Sequence, residues 1–220
     1  NLYRWMRERL RVACADPSVD MRVYYDRLRD TRPLSDAERY GEALAQLRAS
    51  QPGPAVTTLR SLQTTYPELT ALYGALGEAL MASGQPEEAR ATFERALQLF
   101  PRNAPITLHY ADMLMASNSA KQAYDLLLDL FNNVMPTPAQ IRLTAQAASA
   151  AGSEGDAYYY MAEYHLFGGN LALANQQLEL ALAAPDLTSV QRQRFRARML
   201  EIRTWLREQQ MQKPREIAGE

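Results

Sequence analysis

Apolar residues recur along this chain at three- and four-residue spacing, in short runs separated by polar breaks. Tyr40, Ala43, Leu44 and Leu47 make one stripe, Ala55, Leu59 and Leu62 the next. Tyr110, Ala111, Leu114, Ala123, Leu127 and Leu130 continue the pattern further on. A period near 3.6 predicts amphipathic α-helices, and no run alternates with the period of two that a half-buried strand requires. The breaks are themselves periodic. Pro33, Pro67, Pro101 and Pro136 stand 34, 34 and 35 residues apart. Proline lacks the N–H that a helix interior needs, so each marks the end of a helical unit. The prediction is an all-α chain of about 12 helices, built from repeated helix–turn–helix units.

Residues 70–103 hold the clearest unit. Tyr73, Leu76, Gly77 and Leu80 occupy the first half of the 34-residue tetratricopeptide (TPR) pattern, and Ala89, Phe93 and Pro101 the second. These residue types have mechanical jobs. Gly77, Ala89 and Ala96 are small where two antiparallel helices approach closely, and Tyr73 and Phe93 fill the gaps beside them. Ser83-Gly84-Gln85-Pro86 supplies the turn, with Gly84 free to take positive φ and Pro86 suited to the first helical position. One such hairpin cannot bury its apolar faces alone, so neighbours at the same period are expected to stack on it.

Taken in order, the chain reads as one TPR domain over 1–212, with repeats at about 2–35, 36–69, 70–103 and 104–137. The first repeat is degenerate: Trp5 stands in the aromatic slot, Tyr25 and Leu28 face inward, Asp16-Pro17 starts the second helix, and Arg9 and Met21 replace small residues. Ser35 and Glu38 have capping-box spacing at the start of the second repeat, whose turn, Gln51-Pro52-Gly53-Pro54, reads as one residue short. Past Pro136 two registers fit at once. Ile141, Ala145, Gly152, Ala157, Met161 and Tyr164 form a unit over 138–171; Tyr158, Met161, Ala162, Gly169, Ala174, Leu178 and Ala181 form one over 155–188. The helix from about 155 to 167 then serves both units. That is a phase slip of one helix, and the nearly continuous apolarity of A-Y-Y-Y-M-A-E-Y-H-L-F predicts a buried helix. Such a slip is expected to turn the last repeats back towards the earlier ones, with Tyr159, Phe167 or their neighbours Tyr158 and Tyr160 in a pocket wall beside Met81 and Met115 and Glu163 near its rim. Residues 188–210 carry the single stripe Phe195, Met199, Ile202 and Leu206, as a capping helix should. Residues 213–220 read as a disordered tail.

Composition narrows the function. A net charge of −1 over 220 residues is unlike a nucleic-acid binder. No stretch approaches the roughly 20 apolar residues of a membrane span. Cys14 is the only cysteine. H-E-x-x-H, G-x-S-x-G, P-loop and Cys-pair motifs are absent, so neither catalysis nor a metal or cofactor site is expected in this segment. His109 and His165 are isolated on different helices and read as packing or rim residues.

What remains is surface. The inner face carries Ala71, Gly74, Glu78, Leu108 and Asp112 where a carboxylate clamp would need Lys, Asn and Arg. Met81, Leu108, Met115, Tyr159 and Phe167 offer instead an adaptable apolar groove for unstructured polypeptide. Between Arg142 and Arg192 there is no Lys or Arg, while Glu154, Asp156, Glu163, Glu179 and Asp186 give that stretch −5. Arg192, Arg196, Arg203 and Arg207 then line one face of the last helix, either docked on those acids or facing another domain.

The run Y-Y-Y-M-A-E-Y-H-L-F-G-G-N-L-A-L-A-N-Q-Q-L-E-L-A-L, followed by Q-R-Q-R-F-R-A-R-M-L-E-I-R, resembles the C-terminal repeat domain of BepA-type periplasmic zinc metalloproteases of Gram-negative bacteria. Ala162-Glu163-Tyr164, Gly169, Ala174, Gln177-Leu178, Ala181, Arg194, Arg196 and Arg198 carry the resemblance, which is best over 155–206. It implies a periplasmic module joined to a protease domain that holds the zinc. Its implied partners are the outer-membrane β-barrel assembly machinery and unfolded outer-membrane proteins. No residue here matches a zinc motif. A stand-alone TPR scaffold, or more remotely a self-contained enzyme, is the alternative.

Overall fold

The computed structural model of the protein describes residues 2–212. Every regular element among them is an α-helix, twelve in number. These are α1 Leu2–Ala13, α2 Met21–Thr31, α3 Asp36–Arg48, α4 Pro52–Thr65, α5 Thr70–Ala82, α6 Pro86–Leu99, α7 Ala104–Ala116, α8 Ala120–Phe131, α9 Pro138–Ala150, α10 Glu154–Phe167, α11 Leu171–Ala183 and α12 Ser189–Gln212. The segment 213–220, expected to be an unstructured tail, lies outside the described residues. The chain divides into two compact units, residues 1–117 and 118–220.

In the first unit α3 packs on α4 and α5 on α6, while α1, α3, α5 and α7 touch one another in succession. Tyr40, Leu59, Leu62, Leu72, Leu80 and Phe93 are almost completely buried between them. The small-residue logic holds at Gly77, where an added methyl would overlap the Phe93 ring. Ser35 caps α3 as expected: the Glu38 carboxylate accepts the Ser35 N–H at 2.9 Å and receives two hydrogen bonds from Arg32, at 2.7 and 2.9 Å.

Two local expectations give way. Asp16 does not start α2; it closes a turn by accepting from Ser18 N at 2.8 Å, and Asp20 caps the helix through Arg22 N at 3.0 Å. Starting at Met21 places Met21 and Tyr25, one turn apart, against the core. The turn of the second repeat is not short either. Ala49-Ser50-Gln51 has the length of Ser83-Gly84-Gln85, and Pro52-Gly53-Pro54 is the first turn of α4. Ser50 (φ 57°) and Gly84 (φ 74°) both take the left-handed conformation. Gln51 N then bonds Gln46 O at 2.8 Å and Gln85 N bonds Leu80 O at 2.9 Å, which satisfies carbonyls that the helix end would leave unpaired.

The second unit repeats this turn twice. Gly152 (φ 77°) joins α9 to α10 and Gly169 (φ 72°) joins α10 to α11, with Ser153 N on Ala148 O at 2.8 Å and Asn170 N on His165 O at 2.9 Å. The links α8–α9 and α11–α12 contain Pro136 and Pro185 instead. Helix α10 is thus entered and left through the turn that elsewhere sits inside a pair. It packs on α9, on α11 and on α12, so it is the second helix of one pair and the first of the next. The shared helix expected from the double register is present. It is less buried than its apolarity suggests: only Gly155, Asp156 and Ala162 are fully covered, and Phe167 is 54% exposed. Tyr158, Tyr159, Tyr160 and Tyr164 are each half-buried, a state that hydropathy alone does not distinguish from full burial.

Helix α12 closes the second unit. Thr188 N and Gln191 Oε1 are 2.9 Å apart at its start, a capping box. Phe195, Met199 and Ile202 enter a core with Ala162, Ala174 and Leu178.

Candidate functional site

The row of contacting helices α1, α3, α5 and α7 leaves a cleft of about 310 Å³. The small side chain of Ala75 on α5 lines it, and Gly74 beside it lets His109 pack close. Gly74 lies directly under the His109 ring; a methyl on it would stand 3.0 Å from His109 Cδ2. Tyr40, Leu44 and Leu47 of α3 form an apolar wall, and Val12 and Ala13 of α1 extend it. These positions recur at three and four residues on first helices, so one stripe of each helix is turned to the cleft.

Charge is unevenly placed around this wall. Arg9 lines the α1 end and Glu78 and His109 the α5/α7 end. Arg48 is not available for a ligand: its guanidinium donates to Val12 O at 2.6 Å and Ala15 O at 3.0 Å, tying down the C-terminal end of α1. His109 Nδ1 lies 2.7 Å from Glu78 Oε1. Burial pushes the Asp112 carboxyl up; His109 opposes the rise and Glu78 adds to it. The cleft therefore combines an apolar wall with hydrogen-bond acceptors at one end.

The residues expected to form the groove fall in both units, and none of them is among the residues lining the cleft of the first. Met81, Leu108 and Met115 are half-buried on α5 and α7, on the helices that border the cleft. Tyr159 and Phe167 belong to the second unit. The Tyr159 ring stacks on Phe195 with centroids 5.0 Å apart and has the Arg194 guanidinium 4.3 Å from its own centroid, so its ring is engaged in helix packing. Burial, followed by Glu163, pushes its hydroxyl up to about 12, against Arg194 and Arg198. Phe167 is exposed at the end of α10. A second cleft, about 290 Å³, lies within that unit, with Tyr158 and Met161 of α10, Ala145 and Ser149 of α9 and Gln177 of α11 around it. Most of the cleft lining, Leu44, Leu47 and His109 included, was not assigned to it by sequence reasoning; only Glu78 was placed on the inner face. The signal was there, since Leu44 and Leu47 precede the turn of their repeat as Glu78 and Met81 do in theirs.

On α12 the arginines divide into three groups. Arg194 pairs with Asp156, which also accepts from Gln191 at 2.7 Å. Arg198 makes a bidentate pair with Glu163, both contacts at 2.7 Å. Arg203, on the other flank, reaches Asn175 and Glu179 at 3.1 Å. The side chains of Arg192, Arg196 and Arg207 form no hydrogen bond or ion pair among the described residues.

Another buried charge escaped the pattern. Glu8 is fully covered, accepts from Tyr25 Oη at 3.0 Å and from Arg7 at 2.9 and 3.0 Å. Among the described residues no three His, Cys, Asp or Glu side chains gather in a way that could hold a metal ion, and no helix is long and apolar enough to cross a membrane.

Comparison with known proteins agrees with this architecture. A tetratricopeptide-repeat family model matches residues 80–147. Two solved structures share the fold. One is a thermophilic TPR protein of Thermus thermophilus, 20% identical, TM-score 0.50, covering 81% of this chain and 89% of its own. The other is a tetratricopeptide-repeat protein of Parabacteroides merdae, 10% identical, TM-score 0.51, covering 83% and 76%. No curated protein is significantly similar to the chain. The described residues form an all-helical, TPR-like array of helix pairs.

Proposed function

We propose that the chain is a protein–protein interaction scaffold that takes an extended or partly folded polypeptide in the cleft of its first unit. The observation that carries this reading is the cleft itself: an apolar wall from Tyr40, Leu44 and Leu47, the small Ala75 beside it, and polar groups at both ends. Such a surface suits apolar side chains of a segment whose flanking polar groups stay near the rim.

The resemblance of residues 155–206 to BepA-type proteins supports a narrower reading. In it the scaffold works in the periplasm as the recruiting module of a zinc metalloprotease and chaperone. It collects unfolded outer-membrane β-barrel proteins and contacts their assembly machinery. Photocrosslinking residues placed at Leu44 and Leu47, in the cleft wall, test the proposal against a urea-unfolded outer-membrane porin, with Arg95 on the exposed face of α6 as the reference position. Capture from both cleft positions and not from Arg95 is expected. Capture from none, or equally from Arg95, overturns the scaffold reading. Equal capture of an unfolded polypeptide unrelated to barrels, with no binding to purified assembly machinery, leaves the scaffold standing and points to a stand-alone adaptor.

A further inference from the structure

We infer that the arginine-lined flank of α12 is a second docking surface, built for a protein that presents carboxylates beside an apolar patch. Arg192, Arg196 and Arg207 share one stripe with Arg203, since they are spaced at four, seven and four residues. The stripe runs along about 22 Å of helix at 1.5 Å per residue. The three have no counter-charge among the described residues, although five acids lie between Arg142 and Arg192. Those acids nearest to α12 are already engaged: Asp156 and Glu163 hold Arg194 and Arg198, and Glu179 holds Arg203. The helix has one set of arginines paired within its own unit and another, on the stripe of Arg203, whose side chains are unpaired.

Apolar groups flank the unpaired stripe. Leu200 is one turn beyond Arg196 and 67% exposed; Met211 is one turn beyond Arg207 and 77% exposed. The helix also outruns its support. It has 24 residues, against 14 in α10 and 13 in α11, and the last core residue is Ile202 with Leu206 half-buried beside it. Arginine with adjoining exposed aliphatic side chains is the composition of a protein interface. A polyanion or an anionic membrane fits less well, because exposed Glu154, Asp186 and Glu208 in the same unit repel a surface of uniformly negative charge.

The test uses the full chain and a labelled synthetic helical peptide with a stripe of glutamates beside a stripe of leucines, followed by fluorescence anisotropy. Its counterpart has glutamine for every glutamate. The acidic peptide is expected to bind, more weakly as salt rises. Arg192→Gln/Arg196→Gln/Arg207→Gln is expected to weaken it at least tenfold, and Leu200→Ser at least threefold. Thermal melting of both variants should match the wild type, since none of these side chains is packed in the core. Equal binding of the glutamine peptide, or unchanged affinity of the triple variant, overturns the inference. So does tighter binding of phosphatidylglycerol vesicles or of a single-stranded oligonucleotide than of the acidic peptide. Self-association of the chain that the triple variant abolishes overturns it too, by making a second copy the occupant.

Discussion

Gly77→Ala sets two effects of opposite sign against each other. In an open helix interior, alanine in place of glycine stabilises by about 1 kcal/mol. Here the new methyl would overlap three atoms of the Phe93 ring. That ring is 1% exposed and stacks on Tyr110 with centroids 5.5 Å apart and planes 19° from parallel, so it cannot turn aside without disturbing a second aromatic. Overpacking of this kind costs about 1–3 kcal/mol. The steric term wins, and a net loss of about 1 kcal/mol is expected, or roughly 2–4 °C in midpoint for a chain of this size. Gly77→Leu, with three further carbons, should lose about 3 kcal/mol. Urea unfolding followed by circular dichroism measures both. In a Phe93→Leu background the obstruction is smaller, and Gly77→Ala should become neutral or stabilising, giving a coupling above about 1 kcal/mol. Stabilisation by Gly77→Ala in the wild type, or strict additivity with Phe93→Leu, would refute the packing argument.

Other outcomes follow from the same geometry. Gly152→Ala should cost about 1–2 kcal/mol in a thermal melt, because φ there is 77° and alanine resists the left-handed region even with open space around it. Arg32, with help from Ser35, holds the Glu38 carboxyl down at about 2, below its ordinary 4.5. Its contribution is fully present above 4.5 and is lost as pH falls through about 2, so wild type should lose roughly 2 kcal/mol more than Glu38→Gln between pH 5 and pH 2, and parallel pH profiles would exclude this. Arg198→Ala removes the bidentate contact to half-buried Glu163 and should cost about 1 kcal/mol, a loss that shrinks in 1 M salt as screening weakens the pair in the wild type too.

Much of the fold was legible because repeat packing writes itself into residue size. Gly77, Ala89, Phe93 and the 34-residue proline period each encode a constraint visible at one position, and the shared helix was visible as two overlapping sets of small residues. Turn geometry was less legible. Ser50 takes the conformation that Gly84 takes, and no residue-type rule singles out serine for positive φ. The start of α2 depended on which of Asp16 and Asp20 caps it, and tertiary burial of Tyr25, not local preference, decides between them. The cleft was only partly legible. Leu44 and Leu47 have the spacing of core residues, and whether an apolar stripe meets another helix or an open cleft depends on packing that no single repeat encodes. Tyr159 shows the converse: an aromatic suited to a groove is taken up by Phe195 and Arg194 from a helix some 35 residues further on.

The doubled role of α10 changes how the second unit should open. Where helices come in separate pairs, a pair can fray while its neighbours keep their amide protons, and exchange rates fall into blocks of two helices. Helix α10 belongs to two pairs at once and also touches α12. Loss of α10 strips a partner from α9 and from α11 in one event. The amides of all three helices should therefore exchange with deuterium as one block of three, at a common opening free energy, and the glycine turns at Gly152 and Gly169 become the interior of a cooperative segment rather than its edges.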